Sequence, residues 1–135
     1  MEVTVTVPMD PPSALLPNKR HRRGGLYPGI SAATESREVA KYAAMNDRGQ
    51  RPTISGPVEL EVHAAYGYKR VTPDLDGTLS ACKPMIDGLV DAGIIYDDDQ
   101  VQRLIVTHEK LKTRKHVKPQ GYTVFRIREL TEETP

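Results

Sequence analysis

The sequence predicts a single-domain α/β (α+β) fold with one mixed β-sheet, in the order β-α-β-α-β-β. Four stretches alternate as strands do, two carry helical spacing, and loops rich in proline, glycine and charge separate them. At 135 residues the chain fits one domain that buries a core without disulfides. That domain is expected over residues 1–130, with 131–135 as a frayed tail.

Glu2 to Val7 sets Val3, Val5 and Val7 against Glu2, Thr4 and Thr6, a half-buried strand ended by Pro8, Pro11 and Pro12. A loop of proline, asparagine, glycine and basic residues follows to about Ile30. Ser31 or Thr34 is placed to cap a helix through about Met45, with Ala32, Val39, Ala40, Tyr42 and Ala43 as its apolar side. Pro57 to Tyr66 is the clearest strand, setting Val58, Leu60, Val62 and Ala64 against Glu59, Glu61, His63 and Ala65. Proline suits a first helical turn, so Pro84 predicts a second helix starting near Ala81 to Lys83. It runs to about Asp91, buries Met85, Ile86, Leu89 and Val90, and stops at Gly93. Gln102 to Glu109 and Tyr122 to Glu129 are the last two strands.

Composition narrows the setting. The single cysteine, Cys82, has no partner for an internal bridge and reads as a small packing residue, which favours a reducing cytoplasm. No apolar run reaches the ~18 residues of a membrane span, and the acidic, alternating N-terminus is unlike a signal peptide.

Net charge is only +1, but its distribution is uneven. Lys19, Arg20, His21, Arg22 and Arg23 form one basic run beside Asn18. Lys110, Lys112, Arg114, Lys115, His116 and Lys118 form a second, and Lys69 and Arg70 stand between. The segment from Thr72 to Gln102 is acidic, opening on Asp74 and Asp76 and closing on Asp97, Asp98 and Asp99. Like charges this close repel, and the usual remedy is a divalent cation with oxygen ligands, magnesium or manganese. Basic flanks around such a centre suit a phosphate polymer gripped by its backbone. The blander reading is two solvated loops and an acidic turn.

The string DLDGTL also matches the DxDGT nucleophile motif of haloacid-dehalogenase-type phosphatases. That motif needs a continuous apolar strand just before it, whereas Tyr68 to Pro73 is polar, basic and broken by proline.

The acidic segment as a whole is similar to another pattern. PDLDG, then KPMIDGLVDAG, then DDDQV resembles the signature of RusA-type Holliday junction resolvases of bacteriophages and prophages, and PPSALLPNKRHRRG resembles that family's opening. The resemblance covers nearly the full length. It implies a metal-dependent, structure-selective endodeoxyribonuclease that makes paired, symmetric nicks in four-way or other branched DNA, as a homodimer with one site per subunit. Asp74 and Asp76 would be paired metal ligands, Asp98 the third catalytic carboxylate with Asp97 beside it, and Lys83 the essential lysine. The implied cofactor is Mg2+, with Mn2+ as substitute. Asn18, Lys19, Arg20, Arg22, Arg23, Lys69, Arg70, Lys110, Lys112, Arg114 and Lys115 would form the DNA-binding rim. Two departures stand out: Gly77 where asparagine is common, and a longer interval between Asp76 and Lys83. They keep a catalytically inactive junction-binding relative in view.

Phosphodiester hydrolysis needs an activated water and neutralised phosphate charge. Asp74 and Asp76, if extended, point the same way and share a cation, with Asp98 arriving after the second helix to complete the cage. Asp87 and Asp91 are as readily structural, Asp99 reads as solvated, and Gln100 is expected to bond the catalytic loop. No histidine has metal-ligand spacing.

Overall fold

Alternation in the sequence becomes alternation in burial. A computed structural model describes residues 1–16, 26–68 and 70–131. Its elements are β1 (Glu2–Val7), α1 (Leu26–Arg48), β2 (Val58–Tyr66), α2 (Leu75–Asp91), β3 (Val101–Lys110) and β4 (Tyr122–Glu129), with 3-10 turns at Ser13–Leu15 and Asp98–Gln100. The four strands form one mixed sheet in the order β1-β4-β2-β3. β4 runs antiparallel to β1 and β2, while β2 and β3 are parallel and joined through α2. The β-α-β-α-β-β order and the mixed sheet are therefore present.

Both helices cover one face of the sheet. Val3, Val5 and Val7 of β1, Leu60 and Val62 of β2, and Phe125 and Ile127 of β4 meet Ala40, Ala44, Cys82, Met85 and Leu89 in one buried cluster. The opposite face carries a charged ladder across strands. Arg126 reaches Glu2 at 3.3 Å and Glu61 at 3.0 Å, while Arg128 reaches Glu59 at 2.9 Å. Exposed pairs of this kind add little stability individually but favour this strand register. Burial pushes the Cys82 thiol up to about 12, so it is an inert packing group.

Both helices begin earlier than the sequence suggests. α1 starts at Leu26, so Ser31 and Thr34 lie within it. Pro28 falls in the first turn, where a missing N–H breaks no intrahelical bond. At its other end α1 runs past Met45 to Arg48, and Gly49, at φ +59°, supplies the left-handed residue that ends it. The buried face agrees with expectation at Ala40, fully buried, and at Val39 and Ala43, packed against the core. It differs in that Ser36 and Ala44 are also fully buried, whereas Tyr42 is 60% exposed.

That stripe of small residues lets the two helices approach closely. A Cβ at Gly88 of α2 would lie 2.5 Å from the Arg37 carbonyl oxygen and 3.1 Å from Ala40 Cβ. Arg37 locks the contact by donating from Nε and Nη2 to the Asp91 carboxylate at 2.6 and 2.9 Å. This hydrogen-bonded pairing holds Asp91 below the usual aspartate range, with the guanidinium charge adding to it. The stabilisation is present above the ordinary aspartate pKa and is lost as pH falls through the lowered value.

α2 begins at Leu75 rather than near Ala81 to Lys83, and Pro84 sits inside it. An interior proline costs about 3 kcal/mol. Ala81, Cys82, Met85, Ile86 and Leu89, buried on both sides of Pro84, hold the helix continuous across it. Asp74 supplies the N-cap: its Oδ1 accepts from the Gly77 N–H at 2.7 Å. No helix among the described residues is long and apolar enough to cross a membrane.

Candidate nucleic-acid interface and a divided acidic site

The carboxyl end of β2 is where the chemistry-bearing segments meet. β2 ends on Tyr66, a buried residue whose hydroxyl lies 2.8 Å from Thr78 Oγ1 in the first turn of α2. Burial raises the Tyr66 phenol to about 12, so it remains protonated and keeps this bond. The start of α2, with Asp74 and Asp76, is thereby fixed to the end of the parallel strand. Open α/β sheets place ligands at this edge.

Basic segments converge on the same end. β3 finishes on Lys110 beside Tyr66, and the following loop returns so that its Pro119 carbonyl accepts from the Tyr68 N–H at 3.0 Å. The loop carries Lys112, Arg114 and Lys115, all exposed. Its tip is a tight turn closed by Val117 N donating to Arg114 O at 2.7 Å, with Lys115 and His116 at φ 44° and 68°. Two non-glycine residues in the left-handed region cost about 1 kcal/mol or more each, so the turn holds strain while presenting basic side chains. A cavity of about 500 Å³ lined by Tyr68, Lys110, Leu111, Lys112 and Thr113 opens beside it. A second, of about 240 Å³, lies between Tyr68, Arg70, Asp10 and Gln120.

The last described residue before the N-terminal basic run lies at the same place. This is Leu16, which abuts Gly77: its Cδ2 would lie 3.6 Å from a Cβ there. Asn18, Lys19, Arg20, Arg22, Arg23 and Lys69 themselves lie outside the described residues, as do residues 132–135 of the expected tail. Arg70 is engaged structurally, pairing with Asp10 at 3.5 Å and donating to the Pro11 carbonyl at 2.9 Å.

Asp74 and Asp76 differ from the extended pair expected. Asp74 keeps extended backbone as the N-cap, while Asp76 stands in the first helical turn. Both acids therefore favour the helix N-terminus electrostatically, as well as being exposed to a ligand. Glycine at 77 has a local reason, because a Cβ would approach Asp74 Oδ1 to 2.9 Å. Asp74→Asn preserves an N-cap acceptor and should leave the thermal midpoint nearly unchanged, whereas Asp74→Ala should cost about 1 kcal/mol by denaturant unfolding.

Lys83 follows Asp76 by nearly two whole turns, so it lies on the same exposed face about 10 Å further along the axis. Asp87 comes one turn later and pairs with Arg37 at 3.9 Å. The helical conformation explains why the longer interval does not turn Lys83 away. It also keeps Lys83 well removed from the N-cap.

Asp97 and Asp98 occupy the opposite end. α2 is 17 residues long, about 25 Å, and Asp97 and Asp98 follow its C-terminus. Gln100 fixes this turn with four hydrogen bonds. Its Oε1 accepts from Tyr96 N at 2.7 Å and Asp97 N at 3.0 Å; its Nε2 donates to the carbonyls of Ile54 at 2.8 Å and Gly56 at 2.9 Å. Sequence reasoning assigned Gln100 to the catalytic loop, and its bonds tie that loop to the start of β2. Gln100→Ala should cost about 2–3 kcal/mol by chemical denaturation, since it strands several polar groups. A hydrogen bond to Asp97 holds the Asp98 carboxyl above the usual aspartate range, helped by partial burial and by the charges of Asp97, Asp87 and Asp99.

The single oxygen cage expected from Asp74, Asp76 and Asp98 is therefore not assembled within one chain. Among the described residues, no three His, Cys, Asp or Glu side chains stand close enough to hold a metal ion. One subunit alone does not fit the implied magnesium site. No protein-family model matches the chain, and no curated protein matches it. The RusA resemblance rests on the order of its motifs.

The phosphatase reading also loses ground. Its nucleophile would stand at the end of a parallel strand, but Asp74 is set beyond a loop that runs from Gly67 to Pro73 and caps a helix.

Proposed function

We propose that this protein is a RusA-like, structure-selective endodeoxyribonuclease, resolving four-way junctions with magnesium, or manganese in its place, as a homodimer. The observation that carries the reading is the placement of Asp74 and Asp76, the Lys110–Lys115 loop and Leu16, the last described residue before the N-terminal basic run, at the carboxyl end of β2. A phosphate backbone gripped by those cations passes beside the paired carboxylates. Such contacts position DNA without reading its sequence, so binding falls steeply with salt, and selectivity for branched DNA comes from shape. Lys83, a compact cation on the same helical face, extends the phosphate track towards Asp87.

The divided acids add a requirement. Because α2 holds Asp76 and Asp98 near its opposite ends, the reading takes the two halves of each acidic site from different subunits. A two-fold dimer meets this requirement twice, matching the symmetry of a four-way junction. Asp74 and Asp76 of one copy with Asp97 and Asp98 of the other would hold a divalent ion, which would supply charge neutralisation and an acidified water. The single buried thiol and the phage-like motif order suit the cytoplasm of a bacterial or phage-infected cell.

The deciding experiment incubates purified protein with a synthetic four-way junction and magnesium. Paired symmetric nicks, abolished by Asp76→Asn with junction binding retained, are the expected result. Binding without nicks in magnesium or manganese would leave only an inactive junction-binding relative, whose main support was Gly77. The contact between Gly77 and Asp74 gives that glycine a structural reason instead.

A further inference from the structure

Among the described residues, β3 is a full-length strand with one edge left uncovered. It is ten residues long and, among those residues, pairs on one side only, with β2. Its partner β2 is buried at six of nine positions, whereas no residue of β3 is fully buried. Leu104 is 44% exposed and Ile105 37%, in the centre of the strand. The opposite edge is treated differently. On β1, Thr6 N donates to Asp47 Oδ2 at 3.2 Å and Arg51 Nη1 reaches the Glu2 carbonyl at 3.4 Å, so side chains following the turn of α1 occupy that edge. Blocking an edge in this way prevents strand addition, whereas β3 retains a strand-length edge with an apolar centre at Leu104, Ile105 and Val106.

Charge along β3 names the occupant. Asp97, Asp98 and Asp99 stand just before it; Lys110, Lys112, Arg114 and Lys115 stand at and beyond its end. A parallel neighbour of the same chain would set acid on acid and base on base. An antiparallel copy sets the acidic end of each strand beside the basic end of the other. Within the strand, one antiparallel register places the sole acid opposite the sole arginine: centred on Val106, it pairs Arg103 with Glu109 of the second copy at both ends. Leu104, Ile105 and Val106 then lie at the middle of the seam.

We propose that two copies of this chain join through β3, paired antiparallel about Val106 into one continuous sheet. The interface rests on the two-copy reading above, but not on nuclease chemistry. The same pairing sets the Asp97–Asp98 turn of one copy at the end of the sheet where the other copy presents its Asp74–Asp76 cap.

Two measurements test it on the full chain. In the antiparallel pair, residues directly opposite lie about 4.5–5.5 Å apart at Cα, within disulfide range. Val106→Cys should therefore oxidise to a disulfide-linked dimer, while Gln102→Cys should not, and buried Cys82 should stay silent in both. By sedimentation, Arg103→Glu should weaken the dimer about tenfold or more, Glu109→Arg likewise, and the double reversal should recover it. Circular dichroism melts guard against a folding defect, and the double variant separates pairing across the seam from the Arg103–Glu59 contact inside one chain. A monomer at micromolar concentration, a dimer indifferent to both reversals, or no Val106 cross-link would overturn the interface. A monomer that still nicks junctions would sink the interface and spare the nuclease; a cross-linked dimer that never nicks would do the reverse.

Discussion

Mixed in equal amounts and left to exchange subunits, the Asp76→Asn and Asp98→Asn proteins should regain junction nicking that neither has alone. Each variant by itself should lose about 10³-fold or more in rate, because removing one member of a charge-stabilising unit disables the whole. In a mixed dimer with divided sites, both substitutions fall in one site and the other site is intact. About a quarter of the original sites should then survive, for random exchange between two subunit types. Because each mixed dimer has one working site, its product is a junction nicked on one strand. If each site were built within a subunit, both sites of the mixed dimer would carry a substitution and nothing would return. That null result would reject the divided site without touching the proposed DNA-binding role of the basic loop. The length of α2 drives this prediction, since one chain does not bring Asp76 and Asp98 together.

Gly88→Ala should be strongly damaging for a single added methyl. The added Cβ meets the Arg37 carbonyl at 2.5 Å, the Lys41 amide nitrogen at 3.0 Å and Ala40 Cβ at 3.1 Å. Two of these are backbone atoms within α1, so relief requires the helices to part rather than a side chain to turn. Parting also stretches the Arg37–Asp91 pair. A loss of about 3 kcal/mol is expected, at the upper end for overpacking, with the thermal midpoint falling by about 10 °C. Ala40→Gly in the same chain should recover part of that loss by returning space on α1. Calorimetry of the three variants checks both directions. A Gly88→Ala protein as stable as the parent would show that the helix contact is looser than described.

The strands were legible because their faces differ. β1 alternates exposed and buried residues throughout, as Glu2 to Val7 alternates in type. β3 was legible as a strand but not as an edge, since the order β1-β4-β2-β3 depends on pairings far apart in sequence. The start of α2 was hidden by chemistry. Asp74 with Gly77 three residues later is an N-cap signal, but Asp74 and Asp76 also read as ligands, and Pro84 as a helix start. Buried contacts on both sides of Pro84 overrode that local preference. With the helix taken to start near Ala81 to Lys83, Asp76 is left in extended chain, where it would point the same way as Asp74; in fact it stands in the first turn of α2. For α1, Tyr42 looked like core by size, whereas the contact with Gly88 calls for Ser36, Ala40 and Ala44. The basic segments were legible as charge alone; the convergence of the Lys110–Lys115 loop on one end of β2 required the topology.

The side chains set across β1 also govern how far assembly can proceed. A sheet with two open edges adds neighbours indefinitely and grows into a fibre. With Asp47 and Arg51 engaging the backbone of β1, β3 is the edge left open among the described residues, and the proposed two-fold pairing through β3 would consume it in both copies. Growth would then stop at two, with no open edge among those residues to template a third. Asp47→Ala with Arg51→Ala would then unseal the far edge and convert a closed pair into an open-ended polymer, visible as light scattering that rises with concentration.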